Sequence, residues 1–185
     1  MLKNSFMIKK FILFYFLVTF NLSSQELIIG NERVEPGIVF VFEGAIKDKV
    51  FPLSLNLSEN QANVHIEARV NWDITNVPSG VPPGGFVPYL KISAIITNQS
   101  NAMKSFIDLY PHLNLTDNFH YARNIALPGS KNDFYKVEFL VNSPSKFDLF
   151  YHNDWSLGYG LKLIEDKIFI YENINFSKIA NSTRY

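Results

Sequence analysis

Residues 63–74 read NVHIEARVNWDI, and this stretch decides the fold class. Apolar side chains occupy every second position, at Val64, Ile66, Ala68, Val70 and Trp72. Polar side chains fill the positions between them, at His65, Glu67, Arg69, Asn71 and Asp73. Successive side chains of a β-strand point to opposite faces, so the first set is expected to face a core and the second to face outward. The stretch predicts a strand that buries one face.

The rest of the chain is also typical of strands and turns. Short runs of aromatic and β-branched residues are bounded by glycine, proline, asparagine and serine, and helical periodicity is hard to find. The predicted strands are 26–29, 38–43, 63–74, 89–97, 105–109, 134–142 and 160–171. About seven short strands in one domain predict an all-β fold, specifically an immunoglobulin-like β-sandwich, with a closed barrel as the alternative.

The N-terminus has the layout of a secretory signal peptide. Its positive charges are three lysines, Lys3, Lys9 and Lys10. The uncharged apolar run 11–20 follows, and at about ten residues it is shorter than the roughly 20 that a membrane-spanning helix needs. We therefore expect cleavage near Ser24 rather than an uncleaved anchor. The predicted organisation is a signal peptide, residues 1–24, and a single β-sandwich domain, residues 25–185, exported to the periplasm.

Composition excludes several functional classes. Beyond residue 24 the chain carries 14 basic and 17 acidic side chains, so no basic surface for nucleic acid is predicted. The chain has no cysteine, which excludes disulfides and thiolate-bound metals. Any metal must therefore take nitrogen and oxygen ligands, and a thioether could help only from Met103, the one methionine left after cleavage. Nucleophile-elbow, zinc-protease and phosphate-loop signatures are absent, which favours a binding protein over an enzyme.

The chain contains four histidines, His65, His112, His120 and His152. His65 and Glu67 are two residues apart on the predicted outer face, roughly 6.5–7 Å along the backbone. One metal ion fits between them, about 2.0–2.2 Å from each ligand atom. The other three histidines lie in or beside predicted loops. Each histidine taken alone is equally consistent with an ordinary surface or hydrogen-bonded side chain, so their convergence at one rim of the sheet is a hypothesis.

Four segments together resemble a known family. They are 63–71 (NVHIEARVN), 85–90 (GFVPYL), 120–125 (HYARNI) and 142–146 (NSPSK). In this order and spacing they resemble the periplasmic iron-transport proteins encoded with a high-affinity iron permease, whose relatives include a spirochaete metal-binding lipoprotein. The resemblance extends from about residue 29 to residue 176.

This resemblance implies an immunoglobulin-type homodimer that binds a copper ion near its dimer interface and assists iron uptake by an inner-membrane permease. His65 and Glu67 match the family's H-x-E pair, and His120 matches the histidine of its H-Y-G-A-N-like stretch. His152 matches a later loop histidine, for which the resemblance implies a contribution across the dimer interface.

One position departs from the family pattern. The family has a methionine after a proline ahead of the second histidine, whereas here His112 follows Pro111 and the spacing to His120 is one residue longer. His112 either replaces that ligand or is a solvated loop residue. Imidazole in place of a thioether weakens the preference for Cu(I) and keeps affinity for Cu(II), Zn(II) or iron.

Three functional hypotheses follow from these observations. The first is a copper-binding protein of iron uptake, not an enzyme, with His65, Glu67, His112, His120 and His152 as metal ligands. The second is a metal-dependent redox helper that acts on iron before import. The third is a structural or adhesive sandwich whose histidines are incidental.

Overall fold

In a computed structural model, residues 26–183 are described, and they form eight β-strands and two short helices. The strands are β1 (Leu27–Val34), β2 (Ile38–Ala45), β3 (Val64–Trp72), β4 (Lys91–Asn98), β5 (Lys104–Asn114), β6 (Asn118–Ile125), β7 (Phe134–Asn142) and β8 (Lys167–Asn175). The helices are α1 (Asn153–Tyr159) and α2 (Ser177–Ala180). Within residues 26–183, no helix is long and apolar enough to span a membrane. The predicted signal peptide lies outside this range.

The strands form one antiparallel series in the order β1-β2-β3-β6-β5-β4-β7-β8. Strand β5 belongs to two ladders, since residues 104–109 pair with β4 and residues 110–114 pair with β6. The prediction of an all-β fold is confirmed, while an immunoglobulin-like sandwich in particular stays a prediction.

Strand β6 and the second half of β5 lie where a loop was predicted. Asp117 and Asn118 favour turns, yet β6 has hydrogen-bonded neighbours on both sides, β3 and β5, and these pairings outweigh the local preference. Pro111 is tolerated because residues 110–114 pair only with β6, so one edge of this segment needs no ladder hydrogen bond. Helix α1 likewise occupies a predicted loop, and β8 begins later than predicted.

The series divides within β5 into two halves. The first half contains β1, β2, β3, β6 and residues 110–114 of β5, and the second contains residues 104–109 of β5 with β4, β7 and β8. The core lies between these halves, where aromatic rings from β2 face rings from β7 and β8. Phe42 stacks on Phe139 with ring centroids 4.1 Å apart. Phe40 and Phe42 both contact Phe169, at 5.7 and 5.3 Å between centroids. Both β2 phenylalanines are fully buried. These contacts join strands that are distant in the sheet order, and they hold the sheet in a curled shape.

The two edge strands approach each other, so the sheet is nearly closed. The Tyr171 hydroxyl of β8 donates a hydrogen bond to Glu32 of β1, 3.0 Å away. A Cβ atom added at Gly30 would lie 2.1 Å from the Tyr171 ring. Glycine at position 30 therefore permits the close approach of β8 to β1.

The outer face of β3 differs from the prediction in its exposure. The alternation is as predicted, but His65 and Glu67 are only 3% and 2% exposed. The connection between β2 and β3, residues 46–63, folds back beside them, and we call it the cover segment. Residues 48–51 of the cover segment line a cavity together with His65 and Glu67, so this part of the polar face is buried, while Arg69 and Asn71 stay partly exposed.

Candidate metal centre

Three histidines meet on one face of three neighbouring strands. His65 is on β3, His120 on β6 and His112 on β5, and the strand order places β6 between the other two. His112 and His120 are directly paired across β5 and β6. One ligand atom from each of the three rings lies within 4.8 Å of the others. Their ring centroids are separated by 5.3 Å (His65–His112), 5.8 Å (His112–His120) and 6.3 Å (His65–His120).

The cluster lines a cavity of about 320 Å³, which Glu67 also lines. The Glu67 carboxylate Oε1 is 3.8 Å from His65 Nε2. On the other side the wall is formed by Asp48, Phe51 and their neighbours in the cover segment. Three imidazoles and a carboxylate around one cavity form a nitrogen and oxygen donor set of the kind that binds transition metals.

Local hydrogen bonds orient His120. Its Nδ1 lies 3.2 Å from the Asn118 backbone carbonyl, which can only accept a hydrogen bond. Nδ1 must then carry the proton in the neutral ring, and Nε2 carries the lone pair. A hydrogen bond from the ring nitrogen that does not bind the metal is what orients metal-binding imidazoles in proteins.

His112 is half-buried in β5 rather than in a solvated loop. Burial is the largest cause that lowers the pKa of His112, and together with electrostatic interactions with His120 and Arg123 it brings this pKa to about 4. The His112 ring is therefore neutral at pH 7, which is the protonation state that binds metal.

A buried ion pair lies beside the cluster. Glu43 of β2 is paired in register with Glu67 of β3 and accepts a hydrogen bond from Arg69. Burial raises the pKa of Glu43, and the contact with Arg69 opposes that rise. Arg69 thus supplies positive charge next to two buried carboxylates, which limits their mutual repulsion.

His152 is not part of this cluster. It is exposed at the N-cap of α1 and lines a different, largely apolar cavity of about 410 Å³ with Trp72 and Trp155. Met103 lies in the turn before β5, 57% exposed and at the opposite end of that strand from His112. The described structure therefore brings together four of the five predicted ligands.

Sequence reasoning missed Asn124, which is 2% exposed and hydrogen-bonded to His65. His120, Ala122 and Asn124 alternate on one face of β6. The signal was present in HYARNI, but it is visible only if residues 118–125 are recognised as a strand.

Comparison with known proteins decides the family. The model of the Fe2+ transport protein family matches residues 23–177. The chain belongs to this family. The resemblance drawn from the sequence is thereby confirmed.

One curated protein is similar to part of this chain. The 34 kDa membrane antigen of Treponema pallidum (strain Nichols) is 29% identical over 101 residues, which cover 55% of this chain and 48% of the antigen. The chain thus matches about half the length of that curated relative.

Two crystal structures share the fold. FetP of uropathogenic Escherichia coli strain F11, as isolated, is 22% identical with a TM-score of 0.66, covering 80% of this chain and 95% of that one. Copper-reconstituted P19 from Campylobacter jejuni is 24% identical with a TM-score of 0.66, covering 80% and 94%.

Proposed function

We propose that the protein binds a copper ion in the periplasm and assists iron uptake together with an inner-membrane permease. The observation that carries the proposal is the convergence of His65, His112 and His120, whose ligand atoms lie within 4.8 Å of one another. These side chains come from three strands, and nothing in local sequence requires them to meet. Glu67, on the same cavity, is proposed as an additional or alternating ligand.

The donor set favours copper. Affinity for nitrogen and oxygen sites rises along the first-row divalent metals to a maximum at Cu(II), with Zn(II) below it. No methionine approaches the cluster within residues 26–183, so a preference for Cu(I) is not expected. The fold relative P19 is described as copper-reconstituted, which supports copper over zinc or iron as the resident ion.

The role in iron uptake is supported by family membership. Export to the periplasm is supported by the predicted signal peptide, and FetP was expressed in that compartment. An immunoglobulin-like sandwich is the proposed finer class of the fold. Passive binding and delivery is the proposed activity, and the description of the family as transport proteins supports it.

We also propose a homodimer in which His152 of one protomer approaches the cluster of its partner. Segment 147–161 carries His152 together with apolar side chains that are 77–81% exposed. These are Phe147, Phe150, Leu157 and Leu161. The cavity mouth is also apolar, since Phe51 and Leu113 are 69% and 64% exposed there. Burial of two such surfaces against each other favours association.

The test is titration of the metal-stripped protein with Cu(II) at pH 7.5, followed by calorimetry and by electron paramagnetic resonance. One tight site per chain is expected, with nitrogen hyperfine structure from imidazole. His65→Ala and His120→Ala should each weaken binding at least about tenfold, while Asn132→Ala, an exposed change in the turn before β7, should not. Equal affinities in all four proteins would contradict the proposal.

Two further measurements separate the remaining alternatives. Sedimentation of the wild type and His152→Ala, with and without copper, tests whether the protein is a dimer. The shared site also requires that the copper spectrum of His152→Ala differ from that of the wild type. Catalytic turnover of Fe(II) or Fe(III) by the copper-loaded protein would instead favour the redox helper. Absence of stoichiometric copper would favour a structural sandwich.

A further inference from the structure

Asn124 links the histidine cluster to the cover segment. It lies on β6, paired in register with His65 on β3, and it is 2% exposed. Its side chain makes three hydrogen bonds. Oδ1 is 2.8 Å from His65 Nδ1, and Nδ2 is 2.7 Å from the Asp48 carbonyl and 2.8 Å from the Leu57 carbonyl.

These contacts determine the orientation of the amide. Both backbone carbonyls can only accept hydrogen bonds, so the group that faces them must be the NH2 of Asn124. The amide oxygen then faces the imidazole, and an oxygen that only accepts requires a proton on His65 Nδ1. In the neutral ring, Nε2 is consequently the nitrogen with the lone pair, and Nε2 is the atom on the Glu67 side of the ring.

The same amide anchors the cover segment at two places. Asp48 and Leu57 are nine residues apart, and both their carbonyls converge on one NH2 group. Residues 48–51 form a wall of the histidine cavity. The position of that wall is therefore tied to the side chain that orients His65.

We propose that Asn124 is the positioning residue of the metal centre: it holds His65 in the Nδ1–H tautomer and anchors the cover segment against the cavity. This inference rests on the proposed function insofar as it concerns metal affinity. The role assigned to Asn124 is orientation of a ligand, because its oxygen faces His65 Nδ1 and its nitrogen faces the two backbone carbonyls.

Two substitutions separate the two roles. Asn124→Asp keeps an acceptor for His65 Nδ1–H and removes the donor for both carbonyls. Asn124→Ala removes both functions. The matched control is Asn98→Ala. Asn98 is also fully buried, donates a hydrogen bond to Asp133 at 2.7 Å and accepts one from Ser100. It lies on β4, in the half of the strand series that does not carry the histidines.

The first readout does not involve metal. Long-range nitrogen–proton NMR of the metal-stripped protein at pH 8 reports the tautomer of each of the four imidazoles, with His65 assigned from a His65→Gln spectrum. The Nδ1–H form is expected in wild type, Asn124→Asp and Asn98→Ala, and a population of the Nε2–H form in Asn124→Ala. Amide hydrogen exchange of residues 48–57 should accelerate in both Asn124 variants and not in the control.

The second readout is copper affinity. Loss of a residue that orients a metal ligand typically costs about 10- to 100-fold, so Asn124→Ala should weaken Cu(II) binding by that amount and Asn98→Ala should not. An Nε2–H His65 in wild type, or unchanged tautomer and exchange in Asn124→Ala, overturns the assignment. Unchanged copper affinity despite a changed tautomer overturns the positioning role. If the wild type shows the expected NMR spectra but binds no copper, the proposed function is overturned. The tautomer of His65 and the anchoring of the cover segment then still stand.

Discussion

The stability of the metal-free protein should depend on pH through His112. Its pKa is lowered from 6.5 to about 4 in the folded chain, chiefly by burial. Below pH 6.5 the unfolded chain binds a proton that the folded chain does not. The contribution of His112 to stability is therefore fully present above pH 6.5 and is lost as the pH falls towards 4.

The expected size of this effect follows from the pKa difference. Each pKa unit corresponds to about 1.4 kcal/mol, so the displacement from 6.5 to about 4 sets an upper limit of roughly 3.5 kcal/mol. The His112 ring is only half-buried, and solvent screening reduces this figure. We expect about 1–2 kcal/mol between pH 7.5 and pH 4.5.

The assay compares urea unfolding of the wild type and His112→Gln, both metal-stripped and with chelator present, at several values of pH between 7.5 and 4.5. Groups that do not interact with His112 contribute equally to both curves, so the difference between the curves reports His112 together with its interactions with His120 and Arg123. The wild type should lose about 1–2 kcal/mol relative to His112→Gln as the pH falls. Parallel curves would show that His112 is not held in its neutral form by the fold.

Three other outcomes are expected. Phe42→Ala should lower the free energy of unfolding by about 3–5 kcal/mol in urea titrations because it empties the centre of the aromatic core, whereas the exposed Phe106→Ala should change it by less than about 0.5 kcal/mol. Gly30→Ala should lower the free energy of unfolding by about 1–3 kcal/mol because the new Cβ meets the Tyr171 ring. Tyr171→Ala should relieve that clash in the double variant, so additive losses of stability would refute the close approach of β8 to β1. Copper at 100 times its dissociation constant should stabilise the wild type by about 2.7 kcal/mol, measured as a rise in Tm. Acidification should diminish this rise because protons compete with the metal for imidazole.

Much of the fold is predictable because strand alternation is a local property. The alternation in residues 63–74 correctly predicts which side chains of β3 face the core and that His65 and Glu67 share the opposite face. The strand β6 was not predictable in this way. Its sequence favours a turn, and it becomes a strand only because β3 and β5 supply hydrogen bonds on both sides.

The candidate site also has one part that local sequence predicts and another that depends on tertiary structure. The sequence by itself determined the class of ligand, since a chain without cysteine cannot bind a transition metal through thiolate and has its nitrogen ligands in four histidines. Tertiary structure alone decided which ligands meet. The pairing of His112 with His120, the position of His152 at another cavity and the link from Asn124 to the cover segment all depend on register between strands distant in sequence. Register is set by the packing of the whole sheet, and no local pattern in the chain encodes it.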